Sequence, residues 1–478
     1  MAKHLGRRGF LGITGAVAGA GMITQKGCAN VKESVPSLKA AGGMRKDIEE
    51  LVRTTPLVDT HEHLWEESHR IRMKAEKKET PASDFGLLLS HYSDSDLQVA
   101  GLSEKDYHML ISRELAPRDK WKLVQPYYER CRHTGYQLCV RESIRALYGE
   151  TDLRKDNCES ISEKLAAQIQ PGFYTRILQE TANIEYCQVN ALDTPIFRET
   201  EQPELLAQDL WTIGIASQVN LATLARMAGE PVKTLERAHA VIDLCFDTYG
   251  PRAIAVKDQC AYGRRLLFEN VPDDTAAPLF ERLAKDEKSL SEPEMKAVQD
   301  NLFRHCLVKA TEYHLPVKLH TGYYAGHGGM PLDRVRRNAG DLCPLLKEFS
   351  STAFVLMHID YPYQDEAIAL AKHYPNAYID MCWAWIINPS ASVRFLKEFI
   401  MAAPACKLFT FGGDYMPVEL APGHARVARM GIARALAELL EEGWLAESDA
   451  PALADRLMRG NAHEVFDHQR TLRNWKKS

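Results

Sequence analysis

From Ile184 onward the chain repeats one pattern: a short apolar run, then a longer stretch of helical periodicity, then another apolar run. The runs cover residues 184–189, 211–216, 253–257, 316–320, 354–358, 377–380 and 408–412, with helical stretches such as 232–249, 294–313, 332–349, 364–373 and 392–402 between them. Alternation of this kind is the signature of βα units feeding one parallel sheet. An eighth run, 57–61, precedes them, and a short helix over 44–53 leads into it. Eight strands alternating with helices close into a (β/α)8 barrel more readily than they lie in an open doubly wound sheet. No glycine-rich phosphate fingerprint follows any strand, which argues against a dinucleotide site; residues 326–329, Gly-His-Gly-Gly, read as a mobile loop.

Between the first and second runs, about 65–182, there is no strand pattern; helix formers and aromatic residues dominate, with apolar residues three or four apart. This reads as a helical insertion after strand 1. In a barrel, whatever follows a strand end stands over the active-site face, so the insertion should wall the pocket. The charged, Pro-bounded stretch 272–293 reads as a surface excursion. The barrel with its insertion is expected to span 51–470, joined by a leader, 29–50, to a targeting segment, 1–28.

That segment carries Arg7-Arg8 before Phe10-Leu11 and a weakly apolar run to Ile23. It resembles a twin-arginine signal, which exports folded cargo and implies a periplasmic or other extracytoplasmic location. The run is too short and too rich in Gly and Ala for a stable membrane span. Gln25-Lys26-Gly27 is a poor lipidation box, so no anchor is expected at Cys28. The remaining ten of the 11 cysteines are scattered, without a Cys-x-x-Cys pair. They read as small buried apolar residues. A net charge of -5 leaves no basic footprint for nucleic acid, and 45% hydrophobic residues suit a large core; the expected partner is a small molecule.

Chemistry-bearing residues sit at the strand ends. His61 and His63 are two apart, so both imidazoles point one way from a strand while Glu62 turns the other way. Lys257 closes the fourth run, His320 the fifth, His358 the sixth, and Asp414 follows the eighth. Barrel enzymes place their catalytic groups at that C-terminal mouth. Taken singly, each residue has an ordinary reading as a solvated lysine, a hydrogen-bonded histidine or a turn aspartate. Six of them at the ends of five strands point to a metal site built from imidazole and carboxylate donors, which suit Zn2+ and similar divalent ions.

In this order, His-x-His, Lys, His, His, Asp, the chain resembles the amidohydrolase superfamily, over Asp59 to Phe466. The segments Pro316-Val317-Lys318-Leu319-His320-Thr321-Gly322, Leu356-Met357-His358 with Tyr361-Pro362-Tyr363, and Phe411-Gly412-Gly413-Asp414 look like its amidohydrolase-related branch. Residues 374–380 (Tyr-Pro-Asn-Ala-Tyr-Ile-Asp) do so too, and Gly460 to Phe466 is similar to the family's closing helix. The resemblance implies that His61, His63 and Asp414 hold one ion and His320 and His358 a second. Lys257 would bridge both as a carbamate, which requires first that its ammonium lose a proton. It further implies a metal-activated hydroxide attacking an amide, ester or lactone, with Asp414 as acid/base. Homo-oligomers are expected by the same analogy.

Two other readings stay open. In the branch that contains decarboxylases one ion suffices; the strand-six histidine then acts on substrate, and Lys257 stays cationic to pair with a carboxylate. The insertion also resembles that of uronate isomerases, although Lys257 and His358 are not part of their usual metal set. The third reading is an exported, non-catalytic metal- or ligand-binding barrel. Around the mouth, Tyr262, Arg264 and Arg265 follow strand four, where an arginine could clamp a carboxylate bidentately. Tyr323 and Tyr324 after strand five, and Trp383 and Trp385 after strand seven, could wall a ring; His91 and His327 are nearby by position alone.

Overall fold

The structure is a computed structural model that describes residues 38–76 and 81–477. The signal segment, Cys28 and the first part of the leader lie outside the described residues. A helix, Leu38–Thr54, leads into the first strand. The strands are β1 (Leu57–Glu62), β2 (Ile184–Val189), β3 in two pieces (Leu206–Gln208 and Leu210–Trp211), β4 (Val256–Asp258), β5 (Val317–Leu319), β6 (Phe354–Leu356), β7 (Ala377–Asp380) and β8 (Leu408–Phe409). Every neighbouring pair is parallel, and the order follows the chain. Ladders β1 to β3 and β3 to β8 meet at Asp209, whose N–H donates to Val189 O while Leu210 N–H donates to Ala255 O. The circle closes where Thr60 N–H donates to Phe411 O at 3.0 Å. This is the eight-stranded barrel expected from the alternation.

β1, β4, β5, β6 and β8 are buried along their whole lengths, as parallel strands with both faces covered must be. Inside the barrel Val58, Ala207, Ala255, Val355 and Phe409 pack with Phe466 from the C-terminal segment. Because side chains alternate across a strand, Asp209 and Lys257, each two residues beyond a member of that layer, share its inward face. The interior is thus apolar below and polar at the mouth.

The third strand corrects the sequence expectation of 211–216. It lies about five residues earlier, and 212–217 form turns in which Ile215 and Ala216 N–H both bond to Thr212 O. Gln208 and Asp209 disguise the apolar run in sequence; in the barrel both side chains are fully or almost fully buried. Residues 272–293 are likewise no mere excursion. Helix Asp273–Lys285 buries Ala276, Phe280 and Leu283, an i, i+4, i+7 stripe.

Between β1 and β2 the described chain holds no strand. Helices including Ser93–Val99, Pro117–Cys131 and Gly135–Tyr148 cross this region. Gly135–Tyr148 packs on the long helix Ala421–Glu441 so closely that a Cβ at Gly423 would meet Cys139 O at 2.1 Å. A buried ion pair, Arg70 to Glu419 at 3.0 Å, ties the insertion to the segment after β8. No described helix is long and apolar enough to cross a membrane, and none of the ten described cysteines is in a disulfide.

Candidate metal centre

β1 and the segment after β8 run side by side, and their pairing builds the first half of the site. His63 N–H donates to Tyr415 O and Asp414 N–H to His61 O, both at 2.9 Å, which brings Asp414 beside the two imidazoles. Glu62, on the opposite side of β1, accepts from Tyr415 N–H at 2.6 Å and occupies the space where a side chain at Gly413 would be. A Cβ there would lie 1.8 Å from Glu62 Oε1. Asp414 then takes a positive φ of 63°, as do His358 and Trp383 at 63° and 62°. Non-glycine residues rarely adopt this conformation, and such strain clusters at functional sites.

The donors converge. His61 Nε2 lies 3.1 Å and His63 Nε2 3.3 Å from Asp414 Oδ1. His63 Nδ1 donates to Asn190 O at 2.7 Å, so its Nε2 presents a lone pair. Neither ring nitrogen of His61 has a hydrogen-bond partner, although the residue is completely buried. Burial also holds its pKa down at about 4, so the ring is neutral. Two imidazole nitrogens and a carboxylate oxygen around one point, one imidazole with no hydrogen-bond partner on either nitrogen, are a donor set that fits a divalent ion.

The second half is His320 and His358. His320 Nε2 faces Tyr323 O at 2.9 Å and His358 Nδ1 faces Cys382 O at 3.0 Å. A carbonyl only accepts, so both of these nitrogens carry the hydrogens. The remaining two, His320 Nδ1 and His358 Nε2, are 3.0 Å apart and meet lone pair to lone pair. Burial draws His358 to about 3 and His320 well below its usual value, which disfavours a shared proton. A cation beside the pair would remove the conflict. Lys257 is buried between the two halves and has no hydrogen-bond acceptor among the described residues. Burial lowers its pKa, with Asp414, Cys382 and Asp209 opposing.

A cavity of about 370 Å3 opens over these groups, lined among others by His63, His91, Tyr92, Lys257, Tyr262, His320 and Asp414. A wider groove of about 600 Å3, between helices Leu38–Thr54 and Ala421–Glu441, contains none of them. Tyr262 lines the site, its OH accepting from Ala325 N–H at 3.0 Å. Tyr323 is half-buried, 6.0 Å from the Trp383 ring, and Trp383 stands edge-on to His358 at 5.3 Å. Tyr324 is buried 5.2 Å from the Tyr262 ring, whereas His327 is exposed.

Three sequence candidates stand elsewhere. Arg264 bonds Asp300 and lies 4.5 Å over the Phe268 ring, and Arg265 pairs with Asp341, its Nε at 3.0 Å. Neither lines the cavity, because each has a buried carboxylate on the outer helices to neutralise. Trp385 points outward, donating from Nε1 to Thr410 O at 2.7 Å and packing against Gly431.

Tyr92 and Asp209 belong to the site, yet the sequence reading assigned them no role. Tyr92, from the insertion, donates its OH to Asp414 Oδ2 and to Asp414 O, and stacks on Trp383 at 4.7 Å. Only its neighbour His91 drew attention in the sequence. Asp209 Oδ2 lies 3.7 Å from His61 Nδ1. It carries the same signal as the candidate ligands, a polar residue at a strand end, but the third strand was expected too late to show it.

Residues 221–467 match the family profile described as Amidohydrolase. Over 450 residues the chain is 22% identical to the uronate isomerase of Corynebacterium efficiens, covering 87% of this chain and 93% of that protein. Over 178 residues it is 28% identical to the protein fluG of Emericella nidulans, covering 35% of this chain and only 20% of fluG. Its fold superposes on the crystal structure of glucuronate isomerase from Caulobacter crescentus with a TM-score of 0.70 at 18% identity, over 92% of this chain and 97% of that one. With just over half of its 478 residues inside the profile, and with that profile spanning β4 to β8 and the ends that carry Lys257, His320, His358 and Asp414, this chain belongs to the amidohydrolase family.

Proposed function

We propose that this protein is a metal-dependent hydrolase acting on an amide, ester or lactone, with two divalent ions, Zn2+ in this reading. The observation that carries it is the meeting of His320 Nδ1 and His358 Nε2 at 3.0 Å, two lone pairs beside a second group of donors at His61, His63 and Asp414. Lys257, buried and without an acceptor, would join the two halves as a carbamate. Divalent ions, if held there, would supply Lewis acidity and a water of lowered pKa.

The chain's own groups would do the rest. Asp414 Oδ2 is the natural proton acceptor, and the Tyr92 hydroxyl on that oxygen holds its orientation. The rings of Tyr92, Tyr262, Tyr323 and Trp383 restrict water at the mouth.

A second reading is favoured by the near full-length likeness to the C. efficiens uronate isomerase. In it, one ion sits at His61, His63 and Asp414, and Lys257 stays an ammonium facing a substrate carboxylate. Metal content by elemental mass spectrometry, on wild type and Lys257→Ala, tests the choice. Two ions per chain, falling on substitution, support the hydrolase; one ion, unchanged, supports the isomerase. Screening lactones, N-acyl amino acids and uronic acids completes the test, since only hydrolysis yields a fragment or releases acid on ring opening.

A further inference from the structure

We infer that Asp209, clamped by Lys318 inside the barrel, is a positioning residue that sets the ring proton of His61 and so keeps Nε2 free to bind a metal ion. The inference rests on the metal reading of the His61, His63 and Asp414 group.

The two imidazoles of the His-x-His pair are supported differently. His63 has its Nδ1 proton taken by a backbone carbonyl, Asn190 O, at 2.7 Å. His61 has no carbonyl and no hydrogen-bond partner on either nitrogen. What faces its Nδ1 is Asp209 Oδ2 at 3.7 Å, longer than a hydrogen bond but within ion-pair range. A carboxylate there favours the tautomer that puts hydrogen on Nδ1, because N–H is the positive end of the ring dipole. Nε2 is then left with its lone pair, 3.1 Å from Asp414 Oδ1. Without such a partner the nearer carboxylate, Asp414 at 3.1 Å, would draw the hydrogen to Nε2 and turn an N–H on the ion.

Asp209 can do this only if it stays ionised with no water around it. Lys318 Nζ donates to Asp209 Oδ1 at 2.9 Å, to Oδ2 at 3.0 Å and to Thr60 O at 2.8 Å. All three residues are buried, Asp209 and Lys318 without exposed side-chain surface. Lys318 comes from β5 and Asp209 from the break in β3. The clamp therefore crosses the barrel interior and explains why that strand is interrupted by an acid.

A plain structural role, neutralising Lys318, predicts something different, and a double variant separates the two. Asp209→Asn removes the charge and strands the Lys318 ammonium; Asp209→Asn with Lys318→Met removes both charges. Zn2+ affinity of each purified full chain is read by competition with a chromogenic chelator, and stability by thermal unfolding without metal. The expected result is that Asp209→Asn loses both stability and affinity, whereas the double variant regains stability yet still binds Zn2+ about 10–100-fold more weakly than wild type. Lys318→Met alone, which takes away the clamp that keeps Asp209 ionised, should also weaken Zn2+ binding, by no more than removal of the carboxylate does. Recovery of affinity together with stability in the double variant overturns the inference, as does failure of both Asp209 variants to fold, which would assign Asp209 to the frame alone. If wild type itself takes up no Zn2+, the metal reading fails and this inference with it; if wild type binds and the variants match it, only the inference fails.

Discussion

Removing the Tyr92 hydroxyl should move the acidity of Asp414 in a calculable direction. The phenol O–H bonds Asp414 Oδ2 and also reaches Asp414 O at 2.5 Å, both residues being buried. Burial pushes the Asp414 carboxyl up, and the His61 and His63 rings beside it hold it well below the usual range. A carboxylate's hydrogen bond is worth about 1.5–3 kcal/mol, so Tyr92→Phe should raise its pKa by about 1 to 2 units. The ring remains stacked on Trp383 at 4.7 Å and on Tyr136 at 5.6 Å, so the wall should stand. A depressed carboxylate contributes stability that is present above its unfolded pKa, about 4, and is lost as pH falls through the folded one. Tyr92→Phe should therefore cost about 1.5–3 kcal/mol at pH 7 in chelator-treated protein, and less as the medium becomes acid. Denaturant unfolding at pH 7 and in steps below about pH 4 measures this, because the folded carboxyl, held well below that reference value, gives up its contribution only there. On a substrate found by screening, the acid limb of kcat should move to higher pH. Unchanged unfolding energy at pH 7 and an unmoved acid limb would refute the assignment of Tyr92 to Asp414.

Three further outcomes follow from the same geometry. Gly413→Ala meets Glu62 Oε1 at 1.8 Å without any need for unusual backbone angles, so Glu62 must release Tyr415 N–H; Zn2+ affinity should fall at least about tenfold by chelator competition. Arg264→Met and Arg265→Met should leave turnover unchanged, because neither side chain faces the cavity. In thermal unfolding the first should cost about 1–3 kcal/mol through buried Asp300 and the second, 41% exposed, about 1 or less. Asp380 is pushed up to about 7 by burial, against the Thr60 hydroxyl at 2.7 Å and Cys382 N–H. The stability it contributes is complete below about pH 4 and is lost as pH rises through 7, so Asp380→Asn should flatten that decline, by about 4 kcal/mol at most, in unfolding measured between those pH values.

The barrel was legible because its cause is local and repeated. A parallel strand covered on both faces must be a short unbroken apolar run, and runs at 253–257, 316–320, 354–358 and 377–380 stand close to β4, β5, β6 and β7. The third strand failed for the same reason: Gln208 and Asp209 break the run, and what makes them tolerable, Lys318 from β5, is 109 residues away in the chain. Residues 272–293 were misread because charge and prolines masked a helical stripe of only three apolar residues.

The site divides in the same way. Sequence by itself placed His61, His63, Lys257, His320, His358 and Asp414 at strand ends, since strand ends are written in the apolar pattern and a parallel barrel sends them all to one mouth. Tertiary structure alone decided which nitrogens carry hydrogens, because the carbonyls that choose, Asn190 O, Tyr323 O and Cys382 O, belong to turns whose direction depends on packing. It also brought Tyr92 onto Asp414 from 322 residues away, and turned Arg264, Arg265 and Trp385 outward to partners on the helices. A strand's periodicity fixes which end a residue occupies; the partner of its polar atoms is set by elements that meet only when the circle closes.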